Sequence, residues 1–550
     1  MQEYSIAEKT QPMRQFVIVL NILLLCLTGT NKLHSQSLPV GTAVLEDYYR
    51  NKQLLGAMDS SISYTVRPIF PSLKSGMVNP DSILNGDFWT RYTDTASQIL
   101  KTSFAILPVS WKQQYNSAIP YGWNDGGMIP SKGFQTMLSA GVFASIGPLS
   151  VQLRPEYVYA QNSAFQTIDI YGGRPDLPAR FGESAYSEVT WGQSSIRLNW
   201  KAISLGISNE NLWWGPGMRN SLLMSNNARG FKHITLNSVR PIHTSAGSLE
   251  FQVIAGRLDG SGFSTLENDP KYSDWRYLSA AVISYQPKWV PGLFLGLTRG
   301  FQAYSNDIKK LGDYIPFFIP YQKANRDVLE EPFGRDQLTS VFARWLFVKA
   351  HAEVYFEFGA NDNAYNFRDF IGSPEHSRAY TFGFSKITSL RGMNADEFIK
   401  INAEVTQMSQ TADRLVREAG YWYQHGQVFH GYTHKGEVLG SGIGPGGNLQ
   451  SLSLSWLRGI KSLGLQFERY IHNDDYYNAV IGDLNGRSRR WVDLSVAAQG
   501  AWNYKNFIFN SQLQLIRSVN YQWRQVNLIP STPTYNGVNF HGKLGFSYFF

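Results

Sequence analysis

The sequence predicts a transmembrane antiparallel β-barrel of about eighteen strands. Three observations carry that prediction: amphipathic strands in pairs, an alternation of short and long connections, and a last strand ending on an aromatic residue. Candidate strands run pairwise from Lys101 to Phe550, each pair closed by a tight turn. Phe134–Ile146 and Leu149–Ala160 flank Gly147-Pro148, Ser194–Trp200 faces Ile203–Asn209, and Leu338–Phe347 faces His351–Gly359. Later copies are Leu449–Leu457 with Lys461–Tyr470, and Trp491–Trp502 with Phe507–Val519. Between hairpins lie long polar stretches, among them Gln161–Thr190, Gln410–Gly447 and Asn473–Arg490. A soluble sandwich has no reason to segregate loop lengths in this way. An outer-membrane barrel does, because its periplasmic turns are short and its outer loops long.

The strands themselves alternate as a wall between lipid and water requires. Leu452, Leu454 and Trp456 share one face against Ser451, Ser453 and Ser455. The next strand sets Leu463, Leu465 and Phe467 against Ser462, Gln466 and Glu468. Ala352, Val354, Phe356 and Phe358 alternate with His351, Glu353, Tyr355 and Glu357, and Phe507, Phe509, Leu513 and Leu515 with Asn510, Gln512 and Gln514. The polar second face predicts a watery or networked lumen and not a dry core. An antiparallel soluble sheet also alternates, so this pattern gains force beside the loop rhythm. In the last strand Leu544, Phe546, Tyr548 and Phe550 form the apolar face. Bacterial outer-membrane barrels end in this way, and Phe546, Tyr548 and Phe550 are the expected signal to the barrel-assembly machinery. Both chain ends then lie in the periplasm, which requires an even strand number.

Composition is compatible with this class: of 550 residues, 43% are hydrophobic, 17% charged and 14% aromatic, which excludes a disordered chain. Residues 1–35 read as a signal peptide, with Met13 as the start, Arg14 before the apolar run Phe16–Leu27, and cleavage after Ser35. The run is too short to span a bilayer as a helix. The only cysteine, Cys26, lies inside it, and Leu25 stands where a lipoprotein signal needs a small residue, so no lipid anchor and no disulfide are expected. The net charge of +8 is scattered without a Lys/Arg run, so nucleic acid is not an expected partner. Residues 36–100 are expected to form a partly helical periplasmic segment beneath or inside the barrel, which occupies 101–550. Val44, Leu45, Tyr48, Tyr49 and Leu55 fit a helical stripe, Glu46 and Arg50 an i,i+4 pair, and Pro68 and Pro71 end the pattern. Asn79–Thr102 is turn-rich with one short amphipathic stretch.

Catalytic signatures are missing: there is no Gly-x-Ser-x-Gly elbow, no His-Glu-x-x-His and no phosphate loop. His430, His434 and Glu437, with His425 near, form a loose cluster, which Gly431 and Gly436 make a loop and not a metal site. No cofactor is expected. The distinctive stretch is Asn209–Phe231, NENLWWGPGMRNSLLMSNNARGF. Flat aromatic faces stack on the C–H faces of pyranoses, and amides and guanidinium bond hydroxyls and carboxylates. Trp213 and Trp214 serve equally as rim anchors, with the Asn and Arg groups stapling the loop, and chemistry alone favours that role.

The segments Asn211–Gly217 and Ser221–Arg229 resemble the signature of the Wzi-type capsule assembly family. The resemblance extends to PYGWNDGGMIPSKGFQ (Pro120–Gln135), LRPEYVYAQN (Leu153–Asn162) and GYTHKGEVLGSGIGPGGN (Gly431–Asn448). It implies an eighteen-stranded barrel with a periplasmic helical part that holds surface polysaccharide as a lectin. The expected function is therefore non-enzymatic binding or organisation of capsular or exopolysaccharide at the surface of a Gram-negative outer membrane. The expected partners are that polymer, outer-membrane lipids and lipopolysaccharide, and the assembly machinery. Weak contacts multiplied along a polymer give retention without a tight single site. Candidate contacts are Trp213, Trp214, Asn226, Asn227 and Arg229, then Tyr121, Trp123, Asn124 and Asp125, then His430, Tyr432 and His434. A diffusion channel for small solutes and an outer-membrane glycan-processing enzyme are the alternatives.

Overall fold

The computed structural model describes residues 37–70, 102–168, 175–264, 275–316, 334–361, 377–390, 392, 394–410, 420–483, 488–523 and 536–550. The expected signal peptide, and the turn-rich stretch expected before Thr102, lie outside the described residues.

Eighteen antiparallel strands close into one barrel among the described residues. They are β1 Thr102–Asn116, β2 Gly133–Ile146, β3 Leu149–Leu153 continued by Glu156–Ala160, β4 Tyr186–Thr190 continued by Ser195–Trp200, β5 Ile203–Ser208 and β6 His233–Ser238 continued by Ile242–His243. Next come β7 Gly247–Leu258, β8 Arg276–Pro287, β9 Leu293–Tyr304, β10 Arg335–Phe347, β11 Ala352–Asn361 and β12 Arg378–Thr388. The last are β13 Glu397–Gln407, β14 Asn448–Arg458, β15 Lys461–Ile471, β16 Val492–Tyr504, β17 Phe507–Val519 and β18 Gly537–Tyr548. Pro155 interrupts β3 and Pro241 lies in the break of β6, since proline has no N–H for the ladder. β18 pairs back onto β1, Tyr548 opposite Val109 and Phe546 opposite Trp111, so no strand edge is left open.

The predicted hairpins match to within a few residues, and short and long connections alternate around the whole ring. The outward faces are apolar: Leu452, Leu454, Leu463, Leu465, Phe467, Leu513 and Leu515 are all exposed. Each of these hydrophobic side chains needs lipid around it, and together they form a belt far larger than a soluble monomer tolerates.

The lumen is networked, as the polar face predicts, but it is not watery. Glu353, Tyr355 and Glu357 point inward, buried and hydrogen-bonded, and beside them the space between the walls holds a packed apolar core that the strand pattern did not predict. Leu222, Leu223, Met224, Trp214, Trp422, Tyr423 and Leu439 from the long loops meet Leu258, Leu278, Ala280, Leu338 and Phe342 from the wall. Strand alternation identifies which face is inward but carries no information about what fills it.

The N-terminal segment occupies the short-turn mouth of the barrel. Helix α1, Ala43–Leu54, buries Leu45, Tyr48, Tyr49 and Leu54. Leu54 packs on Phe294, Leu346, Ile387 and Leu457, all near short turns, while Leu45, Tyr48 and Tyr49 cluster with Ile460, Ile508 and Phe549. The expected Glu46–Arg50 pair does not form. Arg50 instead donates from Nε to Glu353 at 2.8 Å, and Glu46 pairs with Arg67 at 3.1 Å. Arg50 sits on the buried face of the helix, and an uncompensated guanidinium there costs several kcal/mol. The wall carboxylate therefore prevails over a local pair worth only ~0.5 kcal/mol.

Candidate functional site

Asn209–Phe231 leaves the wall after the short strand β5 and turns into the lumen. Its first part makes a two-residue ribbon with the N-terminal segment, Trp214 opposite Val66 and Trp213 opposite Arg67. Trp214 is 0% exposed and donates from Nε1 to Gln252 at 2.9 Å; Trp213 is 4% exposed and lies 4.4 Å beneath the Arg67 guanidinium. Neither indole offers a face to solvent, so the sugar platform that these rings suggest in the sequence is turned into the barrel. Arg67 also donates to Gly217 O at 3.1 Å and Arg50 to Pro216 O at 2.9 Å, so the segment below grips the Gly-Pro-Gly turn through its carbonyls. Burial pushes the Arg67 guanidinium down to about 10, against the pull of Glu46.

The next residues are held by wall carboxylates. Glu404 accepts the consecutive backbone N–H groups of Met218 (2.7 Å), Arg219 (3.1 Å) and Asn220 (2.9 Å), and the Tyr355 hydroxyl at 2.7 Å. Arg219 turns the other way, donating to Glu468 from Nε at 2.9 Å and from Nη2 at 2.6 Å, with its guanidinium 5.0 Å from the Trp123 ring. Glu404 and Glu468 escaped the sequence reading as functional groups. Their inward position was legible in the strand pattern of Glu468, but a carboxylate that receives a loop backbone has no motif.

The other candidate residues are brought to the same plug. Asn226 donates to Asn124 O at 2.7 Å and accepts from Asn211 at 2.8 Å, and its own carbonyl accepts from Gly126 N at 2.8 Å. Asn124 donates to Arg219 O at 2.7 Å. Asn227 donates to Val438 O at 2.9 Å, and Ser225 N donates to Leu439 O at 2.8 Å. Tyr121 stacks edge-on to Trp123 and His541, Trp123 edge-on to Tyr470, and Asp125 pairs with Lys543 at 2.7 Å. The motif stretches around residues 120, 220 and 440 are thus three strands of one interlock. Leu153–Asn162 supports it from the wall, Glu156 accepting from Gln193, which in turn donates to Asn211 at 2.8 Å.

The two histidines serve the same purpose. His430 Nδ1 meets the Tyr304 hydroxyl at 2.8 Å, and His434 Nδ1 accepts Asp259 N at 3.1 Å. Burial holds both imidazoles low, His430 at about 3 with Arg276 adding to the effect. Tyr432 stacks on Tyr423 at 6.1 Å, and the Tyr423 hydroxyl donates to Leu222 O at 2.7 Å. Burial raises the Glu437 carboxyl, opposed by Arg229. Arg229 ties this set to the wall, paired with Glu188 and donating to the Tyr186 hydroxyl at 2.7 Å.

At the long-loop end the plug is capped by a collar of three segments. Asp176 ties them together: its N–H donates to His430 O at 2.9 Å, and its carboxylate accepts from Gly436 N at 3.0 Å and Ser261 N at 3.3 Å. Phe181, Tyr186 and Phe263 meet edge to face at 6.0–6.4 Å. Phe181 is buried beneath them, whereas Phe263 is 42% exposed. Sequence reasoning missed Tyr186 and Glu188, which share the first part of β4, and Phe263, which lies in another segment with no spacing or pattern to connect it to them.

Among known proteins, the capsule assembly protein Wzi family matches residues 116–522. No curated protein matches the chain. A solved structure of Wzi from Escherichia coli, an outer-membrane protein involved in group 1 capsule assembly and a carbohydrate-binding β-barrel, aligns over 94% of this chain and 99% of its own. Its TM-score is 0.60 at 12% identity. OpdQ from Pseudomonas aeruginosa aligns over 81% of this chain and 97% of its own, with a TM-score of 0.38 at 10% identity. OccAB2 from Acinetobacter baumannii covers 81% and 97%, with a TM-score of 0.39 at 9% identity. With its closed barrel, its exposed apolar belt and a family match over residues 116–522, the chain belongs to the Wzi capsule assembly family of outer-membrane β-barrels.

Proposed function

We propose that this protein binds or organises capsular or exopolysaccharide at the outer surface of the cell, without catalysing a reaction. The observation that carries the reading is the filled lumen, because a barrel closed by an interlocked plug offers the polymer its long-loop face instead of a passage. The carbohydrate-binding Wzi barrel of Escherichia coli supports the same ligand class. The buried members of the predicted set, Trp213, Trp214, Asn226, Asn227, Tyr121, Trp123, His430, Tyr432 and His434, take the role of holding that face rigid. The half-buried Asn124 and Asp125 belong to the same support, and Arg229 reaches the collar itself. Weak grips repeated along the polymer then supply retention.

Outer-membrane lipids and lipopolysaccharide surround the apolar belt in this reading. The face of β18 with Phe546 and Tyr548, packed against Trp111, Phe507 and Phe509 and followed by Phe550 edge-on to Tyr548, is the recognition surface for barrel assembly. The channel alternative finds no support in the plug. The enzyme alternative needs an accessible carboxylate pair, and Glu437 is buried while Asp125 is spent on Lys543.

The test is a deletion strain of an encapsulated host compared with its parent. Polysaccharide shed into the medium with unchanged total synthesis supports the proposal, and a fully retained capsule overturns it. Planar-bilayer recording of the purified barrel separates the channel, which requires steady open-pore conductance.

A further inference from the structure

The outer collar carries more than the closure of the barrel requires. The ribbon Thr433–His434 with Glu437–Val438 turns through Lys435 and Gly436, both with positive φ (51° and 81°). This is a primed hairpin turn, whose first central position favours Asn, Asp or Gly. A lysine there is strained by about 1–2 kcal/mol. The tip is seated tightly: Lys435 N donates to Asp259 O at 3.0 Å, and a Cβ on Gly436 would stand 2.9 Å from Ser261 and 3.0 Å from Pro178. The backbone is thereby fixed, yet the Lys435 ammonium has no hydrogen bond or ion pair among the described residues, and it acts through space on Glu188. Beside it the Phe263 ring lies against Gly182, where a Cβ would come within 2.9 Å of the ring. Glu188, its side chain 35% exposed, is held by Arg229 and the Tyr186 hydroxyl. An exposed aromatic face, a free cation and an oriented carboxylate thus stand together on the collar of the plug.

We propose that this collar is a subsite for an acidic pyranose, a carboxylate-bearing sugar within a surface polymer. The proposal rests on the surface-polysaccharide reading above and deepens it. The C–H face of the ring stacks on Phe263, since an apolar pyranose face and a flat aromatic surface exclude water from one another. The sugar carboxylate meets Lys435, a point charge with three donors. The hydroxyls donate to Glu188, whose remaining acceptor capacity faces solvent. Arg229 positions Glu188 and does not itself touch the sugar. A neutral polymer would use the ring and the carboxylate but gain nothing from Lys435, so the free cation selects acidic repeats.

The experiment uses the full barrel in detergent, with polygalacturonate oligomers as the acidic probe and dextran oligomers of equal length as the neutral one. Folding of each variant is checked by heat-modifiable migration. F263A is expected to weaken polygalacturonate binding about tenfold, the scale of one lost stacking platform. K435Q is expected to remove most of its salt dependence and its preference over dextran. K435R, which keeps the charge, is expected to restore the preference. Folded F263A/K435Q with parental affinity overturns the subsite. A parent that binds both probes equally, or neither, overturns the acidic assignment. On cells, polymer shed by the deletion strain but retained by F263A/K435Q rejects this subsite alone, whereas retention by both strains rejects the broader function.

Discussion

A single carboxylate illustrates how the plug is held. Glu404 stands on β13 and receives three successive backbone N–H groups from residues 218–220, which would otherwise be left without an acceptor in a buried or partly buried place. An unsatisfied buried donor costs about 1–3 kcal/mol. Glu404→Ala is therefore expected to lower stability by about 3 kcal/mol or more, read as a lower urea midpoint, with fluctuating bilayer currents as the plug loosens. Quiet bilayers and an unchanged midpoint would show that the plug is held elsewhere. His430 makes a second prediction. Its folded pKa is depressed to about 3 by burial and by Arg276, while the unfolded chain titrates near the ordinary imidazole value of 6.5. Above 6.5 both states are neutral and the contribution is complete. As pH falls from 6.5 toward 3 the open state takes up the proton and the folded state does not, so stability declines by up to about 1.4 kcal/mol per pH unit. Hydrogen-exchange protection factors in residues 420–447, which are referred to the intrinsic rate at each pH, should fall between pH 6.5 and 4. His430→Asn, which keeps an acceptor for Tyr304, should flatten that profile. Glu437 titrates with the opposite sign, since its raised pKa loses stability as pH rises, so a slope unchanged in the variant would assign the effect to His434.

Helix α1 shows the balance between local and long-range pairing. Its apolar stripe was legible from Leu45, Tyr48 and Tyr49, because 3.6-residue periodicity is a local property. The fate of Arg50 was not, because Glu353 lies on β11, far along the chain, and only closure of the barrel brings it near. Glu353 also takes Arg344 at 2.6 Å, so two guanidinium groups share one carboxylate in a buried site. Arg50→Ala leaves a balanced Arg344–Glu353 pair but removes the grip on Pro216 O, so the helix should loosen while the barrel persists. A disulfide engineered between positions 54 and 457 should form readily in the parent and poorly in the variant, and the sequence's lone Cys26 offers little competition. Equal yields would show that the remaining apolar contacts of the helix, through Leu45, Tyr48 and Tyr49, suffice alone.

For the whole molecule, the loop rhythm makes a topological prediction. Lys435 lies on the long-loop collar, whereas Gly147-Pro148 joins β2 and β3 at the opposite end. An epitope at Lys435 is expected to be labelled on intact cells and one at Gly147-Pro148 only after the outer membrane is permeabilised. The reverse labelling would invert the barrel. The two ends also differ in construction. α1 and its apolar contacts close one end, and a polar collar with Phe263 and Lys435 closes the other, as expected for a molecule that faces a polymer on one side only.

Period-two alternation, turn spacing and the paired hairpins were enough to define the wall, its strand pairing and its lipid face, since all of these depend on neighbours within a few residues or on the next strand. The motif residues were visible too, but their role was not. For Trp213 and Trp214 chemistry alone favoured an anchor over an exposed platform but could not place it, because burial is decided by where a loop travels after it leaves the wall. Only the tertiary structure turned residues 209–231 inward, by offering Glu404, Glu468, Gln252 and Val66 as partners to groups that water would otherwise have satisfied. The collar was hidden for the same reason: Tyr186, Phe263 and Lys435 become neighbours only because Asp176 ties three separate loops across the top of a closed ring.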